Sequence, residues 1–314
     1  MIKGMFILAK EYYEMIYGLD QIAQINEIVE ITTPPQTAES IKNNRNLLAN
    51  VEVIFSGWGA PVMDEEFLQA APRLKAVFYG AGSVKGFVTD ALWRRNIIVT
   101  SAYAANAIPV AEYCLAVILF SLKLGWRHML KIREEKRWIE RIKSPGNYGS
   151  TVGLISLGMI GRKTLELLKH FDLKIAVYST SLTEDDARKM NVKKCDLEEI
   201  FSISDVISLH TPNLPETRGM IKGKHFRLMK QDATFINTAR GAVVNEPEMV
   251  EVLKERHDIT AVLDVTDPEP PPAGSPLYEL PNVVLTPHIA GSLFNECRRM
   301  GQYAVDECRR FING

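Results

Sequence analysis

Four side chains in the C-terminal half suit proton and anion chemistry, and each falls at or just past the end of a predicted strand. Arg240 follows "FINTA", Asp264 ends "ITAVLD", Glu269 lies in the loop after it, and His288 follows "NVVLTP". Imidazole exchanges a proton near neutral pH, and a carboxylate bonded to one ring nitrogen orients the other. A guanidinium stays charged, and its planar fork matches a carboxylate. Together they could bind an oxo acid and move a proton at its oxygen. Each also has a plainer reading: Arg240 as a surface ion pair, Glu269 as a solvated loop residue, His288 as a turn residue satisfied by backbone. If the strands are parallel, all four project from the carboxyl edge of one sheet, where α/β proteins bind ligands.

A second constellation lies upstream. "TVGLISLGMIG" reads Ser156, Gly158, Gly161 where a dinucleotide-binding turn has three glycines. It follows an aliphatic strand and opens a helix, the context that gives the pattern meaning. Gly158 would let the backbone approach a pyrophosphate, and Gly161 would let the helix pack close to the sheet. The pyrophosphate would meet the free N–H groups of a helix N-terminus. Serine in place of the first glycine costs little if its φ is negative, and about 1–2 kcal/mol if the backbone there is left-handed.

The elements that must position these residues alternate between short apolar runs and helix-period stretches, which argues for parallel sheets of βαβ units. The first series of strands is "MFILA", "EIVEI", "VEVIF", "LKAVFY" and "IIVTS"; a second begins with "TVGLIS" and continues through "KIAVYS", "VISLH", "ATFINTA", "ITAVLDV" and "NVVLTPH". Helices are predicted over 159–170, 246–257 and 292–312. Two longer ones, 106–123 and 127–142, separate the series. "DPEPPPAGSP" sits between two strands of one sheet and reads as a stiffened surface loop, not a linker.

Composition narrows the partners. The 314 residues are 46% apolar and 24% charged, with a formal net charge of -1, ordinary for a soluble globular chain and no signal for nucleic acid or an acidic membrane surface. The four cysteines show no C-x-x-C pair and no metal-ligand spacing with histidine. Cys297 and Cys308 share a predicted helix face about 16 Å apart, too far for a disulfide within it. Reduced thiols and a cytoplasmic location are the simplest account. The N-terminal run ends at Lys10 without a small-residue cleavage site and reads as a strand. The apolar stretch from Val110 is short for a bilayer span of about 20 residues and reads as a buried helix.

"VGLISLGMIG", "SLHTP", "NTARG", "LDVTDPEP" and "TPHIAG" occur in the order and spacing of the D-isomer-specific 2-hydroxyacid dehydrogenases, and the chain resembles that family over nearly its whole length. "VFYGAGSVKGFVTDALWRRNIIVTSA" is similar to the family's substrate-side loop. The resemblance implies two doubly wound parallel-sheet α/β domains: a flavodoxin-like substrate domain of residues 1–100 and 289–314, and a Rossmann-type nucleotide domain, 101–288, inserted into it. It implies NAD or NADP as cofactor, a small 2-keto or 2-hydroxy acid as substrate, a homodimer, and no metal. Arg240 would bind the substrate carboxylate, His288 would be the acid/base, and Glu269 its partner. Gly82 and Ser83 would hold the carboxylate from the first domain, with Trp58 as a candidate wall for the substrate's variable group. The cofactor would be lined by Ser156, Leu157, Gly158, Met159, Ile160 and Gly161 in the turn, and by Ser179 and Thr180 after the next strand. His210, Thr211, Pro212, Thr217, Thr238 and Ala239 would line it further along, with Val110 from the connecting helix. Asp264 would hold the nicotinamide, and Gly291 would also contact the cofactor.

Three departures from the family pattern bear on selectivity. Ser156 replaces a glycine, Thr266 stands where relatives usually carry an aromatic, and "AVYSTS" lacks the acid that selects NAD by bonding the ribose. None touches Arg240, Glu269 or His288. The rival from another class is a non-catalytic nicotinamide-sensing regulator on the same fold. A formate dehydrogenase-like activity goes with glutamine at the position of His288.

Overall fold

The computed structural model describes all 314 residues, which divide into two compact units: Met1–Ala107 with Ser292–Gly314, and Ile108–Gly291. The first holds strands β1 (Ile2–Ile7), β2 (Val29–Ile31), β3 (Val53–Ser56), β4 (Ala76–Tyr79) and β5 (Ile98–Ser101). They pair in the order β2-β1-β3-β4-β5, all parallel. That is the flavodoxin-like order. Its central strands are buried on both faces, which is why they read as unbroken apolar runs. On one face Phe6, Phe55 and Phe78 succeed one another across three strands with ring centroids 5.4 Å apart. The helix Cys297–Asn313 closes this face, burying Met300, Ala304, Val305 and Cys308 on one side. Losing one such buried phenylalanine ring would cost about 3–5 kcal/mol.

The second unit holds β6 (Thr151–Ile155), β7 (Lys174–Tyr178), β8 (Lys193–Lys194), β9 (Val206–Leu209), β10 (Thr234–Asn237), β11 (Thr260–Leu263) and β12 (Val283–Leu285). Their order is β12-β11-β10-β9-β6-β7-β8, with every pairing parallel. The strand order reverses between β6 and β9, the switch point at which such sheets open a ligand crevice. Both sheets are thus parallel and doubly wound, as the sequence implied.

Differences from the sequence reading are local. Strand β8 was not anticipated, because its two residues are lysines with no apolar signal. The second connecting helix runs Gly125–Glu135 and stops seven residues short of its predicted end, at Lys136 in left-handed backbone. The first runs Tyr103–Ser121, with Glu112 its one charged residue. It is the one helix long and apolar enough to cross a bilayer, with mean hydropathy 1.6 and half of that window buried. It is therefore less buried, and longer, than the stretch from Val110 suggested. All four cysteines are buried free thiols.

Candidate active site

Strands β10, β11 and β12 are adjacent and parallel, so their carboxyl ends deliver Arg240, Asp264, Glu269 and His288 to one edge. His288 Nδ1 lies 2.6 Å from Glu269 Oε1, and both side chains stay partly open to solvent. A carboxylate accepts, so Nδ1 carries the shared proton and Nε2 takes no part in that bond.

His288 sits in left-handed backbone, φ +54°. Asp264 holds that turn. Its carbonyl accepts from the His288 N–H at 3.0 Å, and its carboxylate accepts from the N–H groups of Ile289 at 2.8 Å and Ala290 at 2.9 Å. The Thr286 hydroxyl donates to the same carboxylate at 2.6 Å and lies 3.1 Å from the Tyr113 hydroxyl. Asp264 is 2% exposed, so its carboxylate is committed to the turn that carries His288 and Gly291. The sequence pointed to Asp264 but not to this use; Thr286 and Tyr113 gave no signal there.

Arg240 is positioned by its own turn. The Asn237 side chain accepts from the Ala239 N–H at 3.0 Å and donates to the Arg240 carbonyl at 3.2 Å. A Cβ on Gly241 would lie 2.0 Å from the Thr266 carbonyl carbon, so only glycine lets the Arg240 turn press on the loop leading to Glu269. Thr238 packs behind, its hydroxyl 3.2 Å from the Cys114 sulfur. Burial pushes the Cys114 thiol up to about 11, so it is a neutral packing group.

At the switch point, Ser156 has φ +79°, the left-handed backbone that glycine would take without cost. Its N–H donates to the Tyr178 carbonyl at 2.7 Å. Gly158 begins the helix Met159–Leu168 without a side-chain cap, and a Cβ there would meet nothing within 4 Å. Gly161 is required, since a Cβ would come within 2.3 Å of the Ser156 carbonyl oxygen. Beside it His210 is buried with neither ring nitrogen bonded, and the buried Thr211 hydroxyl is also unpartnered. Burial holds the His210 pKa down to about 4. Thr217 ties its loop by donating to the Pro212 carbonyl at 2.6 Å. Ser179 and Ser181 hydroxyls lie 3.2 Å apart, and Thr180 is exposed. Val110 and Leu157 are 4% exposed and belong to the unit's core. An open glycine approach, free helix-end donors and unpartnered buried polar atoms fit a nucleotide's phosphates and sugar.

In the first unit, Gly82 is half-buried with no atom within 4 Å of a Cβ position, and Ser83 is exposed. Trp58 is half-buried, edge-on to Tyr12 with ring centroids 5.0 Å apart.

Residues 117–290 match the D-isomer specific 2-hydroxyacid dehydrogenase, NAD binding domain. The chain belongs to the D-isomer-specific 2-hydroxyacid dehydrogenase family. Like its relatives' named domain, the second unit is therefore an NAD-binding domain. A glyoxylate reductase of Thermofilum pendens is 34% identical over 287 residues, covering 90% of this chain and 83% of that protein. A D-3-phosphoglycerate dehydrogenase of Archaeoglobus fulgidus is 34% identical over 254 residues, 80% of this chain but 48% of its own length. The chain spans about half the length of the phosphoglycerate dehydrogenases it matches. The fold of a D-isomer specific 2-hydroxyacid dehydrogenase from Lactobacillus delbrueckii, in an NAD-complexed form, superposes with TM-score 0.81 at 24% identity, covering 100% of this chain and 98% of that one.

Proposed function

We propose that the protein transfers hydride between NAD(P)H and a 2-keto acid, working chiefly as a reductase that yields the D-2-hydroxy acid. The observation that carries this is the 2.6 Å His288–Glu269 bond on the sheet edge that also bears Arg240, in a chain of this family. Arg240 binds the substrate carboxylate and polarises the neighbouring carbonyl. His288 gives its Nε2 proton to the carbonyl oxygen during reduction and recovers it during oxidation, while Glu269 keeps the ring oriented. Asp264 acts through His288 by holding its turn. The nicotinamide, when bound, supplies the hydride. The residues lining it are Ser156 to Gly161, Ser179, Thr180, His210 to Pro212, Thr217, Thr238, Ala239 and Gly291, with Val110 and Leu157 supporting them from the core.

The first unit is the substrate side of this reading, with Gly82 and Ser83 gripping the carboxylate through backbone amides and Trp58 offering an apolar wall. The protein acts as a cytoplasmic homodimer. Supporting this, the helix Gly125–Glu135 buries none of its residues, and Phe120, Met129 and Trp138 are 41%, 51% and 88% exposed. Such a run of apolar side chains suits an interface. An oriented His288–Glu269 pair favours turnover over a sensing role. A panel of 2-keto acids assayed with NADH and with NADPH tests the reading: reduction of at least one is expected, and tight NADH binding with no turnover across the panel would favour the sensor.

A further inference from the structure

Beside the His288–Glu269 pair, wholly within the second unit, lies a cavity of about 460 Å³. Val265, Pro270, Pro271, Tyr278, Leu285 and Pro287 give it an apolar wall, and Glu269 and His288 stand at its margin. Thr266 also lines it, at the position where the family resemblance leads one to expect an aromatic ring. The Thr266 hydroxyl donates to the Pro268 carbonyl at 2.8 Å, so it adds no unsatisfied polar group to the wall.

We propose that this cavity receives the substrate's side chain, and that the substrates are 2-keto acids bearing a branched aliphatic or aromatic group. The inference rests on the reductase reading above and deepens it. Three observations carry it. The cavity adjoins the group that meets the substrate's carbonyl, so the atoms attached to that carbonyl are the ones in reach. Its volume falls in the range of small-molecule sites. Glyoxylate has only a hydrogen to place there and pyruvate a methyl, and either would leave apolar wall without partner atoms. Finally, the acidic residues lining the cavity are Glu269 and Asp264, the latter committed to the His288 turn, and no lysine or arginine lines it. A phosphate or second carboxylate would enter an apolar hollow beside a like charge with no cation to pair it. This separates the chain from the activity named for its phosphoglycerate-dehydrogenase relatives.

The wall is also rigid. Four prolines between residues 268 and 272 fix the loop. Its start is pinned by the contact of Gly241 with the Thr266 peptide, which sets the cavity at a constant offset from Arg240. A preformed pocket loses little entropy on binding, so it discriminates by shape.

The test measures kcat/KM for glyoxylate, pyruvate, 4-methyl-2-oxopentanoate, phenylpyruvate, indole-3-pyruvate and 2-oxoglutarate, on the wild type and on Thr266→Phe, which refills the hollow. In the wild type, phenylpyruvate or 4-methyl-2-oxopentanoate should exceed glyoxylate at least tenfold, and 2-oxoglutarate should trail both. In Thr266→Phe the phenylpyruvate-to-glyoxylate ratio should fall at least tenfold, in line with the 10- to 200-fold that one methylene is worth in such pockets. Tyr278→Ala supplies a second reading at an exposed position: it widens the hollow and should raise the ratio of indole-3-pyruvate to pyruvate. Wild-type turnover confined to glyoxylate and pyruvate, or ratios that move in neither variant, would overturn the assignment while leaving the reductase reading intact. No turnover of any keto acid would overturn that reading and this inference with it.

Discussion

Two turns at the carboxyl edge of the second sheet place a non-glycine residue in left-handed backbone, and they treat it differently. After β12, His288 at φ +54° is surrounded by bonds: its own N–H and the next two all donate to Asp264. After β6, Ser156 at φ +79° donates its N–H to the Tyr178 carbonyl, and its side chain bonds to no other group. In the proposed reaction the first turn carries a side chain that does chemistry, and surrounding bonds offset its backbone cost. The second must present backbone, and a glycine would serve it better. Strain held by a network points to a side chain in use; strain without one points to a substitution the fold tolerates.

The largest effect should follow from breaking the first turn's product. His288→Ala is expected to lower kcat by about 10²- to 10⁴-fold, the usual contribution of a positioned acid/base group. NADH binding, followed by fluorescence titration, should survive, because the residues proposed to hold the nucleotide, Gly291 apart, lie on other strands. Turnover close to wild type would remove His288 from the mechanism.

Next in size is a pH effect beside the second turn. His210 is buried, and its pKa is lowered from 6.5 to about 4 by desolvation. The unfolded chain therefore binds a proton at pH 5 that the folded chain refuses, so stability rises with pH in this range. The contribution is fully present above about pH 6.5 and is lost as pH falls through 6.5 towards 4, roughly 3 kcal/mol in all. Urea unfolding at pH 7 and pH 5 should show this slope in the wild type and a shallower one in His210→Gln. Equal slopes in both proteins would mean that His210 is hydrated or partnered in solution.

These contrasts also show how far the sequence could be read. The central strands were legible because they are buried on both faces and so read as apolar runs; Lys193–Lys194 joins its sheet as an edge strand and has no such run. Arg240, Glu269 and His288 were legible because chemically capable residues at successive parallel strand ends share an edge. The clamp by Asp264 and the Gly241 contact were not, since each depends on atoms brought together by packing between separate βα units; the Asn237 bonds are local to one turn, but residue type alone does not announce them. The cavity is of the same kind: it exists because a proline loop stands off β12, and residue types alone do not set that gap. At Ser156 the sequence posed the alternatives, and the backbone angle decides between them.

Coenzyme choice sharpens the comparison at the far end of the same crevice. Ser179 and Thr180 follow β7 where an acid would select NAD, and Arg188 is paired with Asp185. With no repelling acid and no arginine on the turn after β7 itself, Arg162 sitting instead on the helix Met159–Leu168, preference between NADH and NADPH should stay below about 100-fold. Ser179→Asp should shift it towards NADH by about tenfold, equivalent to about 1.4 kcal/mol. The kcat/KM values for both coenzymes on both proteins decide it, and a wild-type preference above about a thousandfold, about 4 kcal/mol, would place selectivity elsewhere.

The smallest expected effect bears most directly on the two turns. Ser156→Gly replaces a residue held at φ +79° with one that adopts that angle freely. The left-handed penalty of about 1–2 kcal/mol is removed, while glycine's greater freedom in the unfolded chain takes back part of it. The net gain should be about 0.5–1 kcal/mol, read as a higher urea midpoint with an unchanged slope. Gly161→Ala, one helical turn away, should move the other way, because its Cβ would meet the Ser156 carbonyl oxygen at 2.3 Å. If the turn serves only to present backbone, Ser156→Gly should leave kcat unaltered and NADH affinity equal or tighter. A loss of NADH affinity in that variant would show the Ser156 hydroxyl at work on the cofactor, and the two turns would then differ in what supports the strain, not in whether the side chain is used.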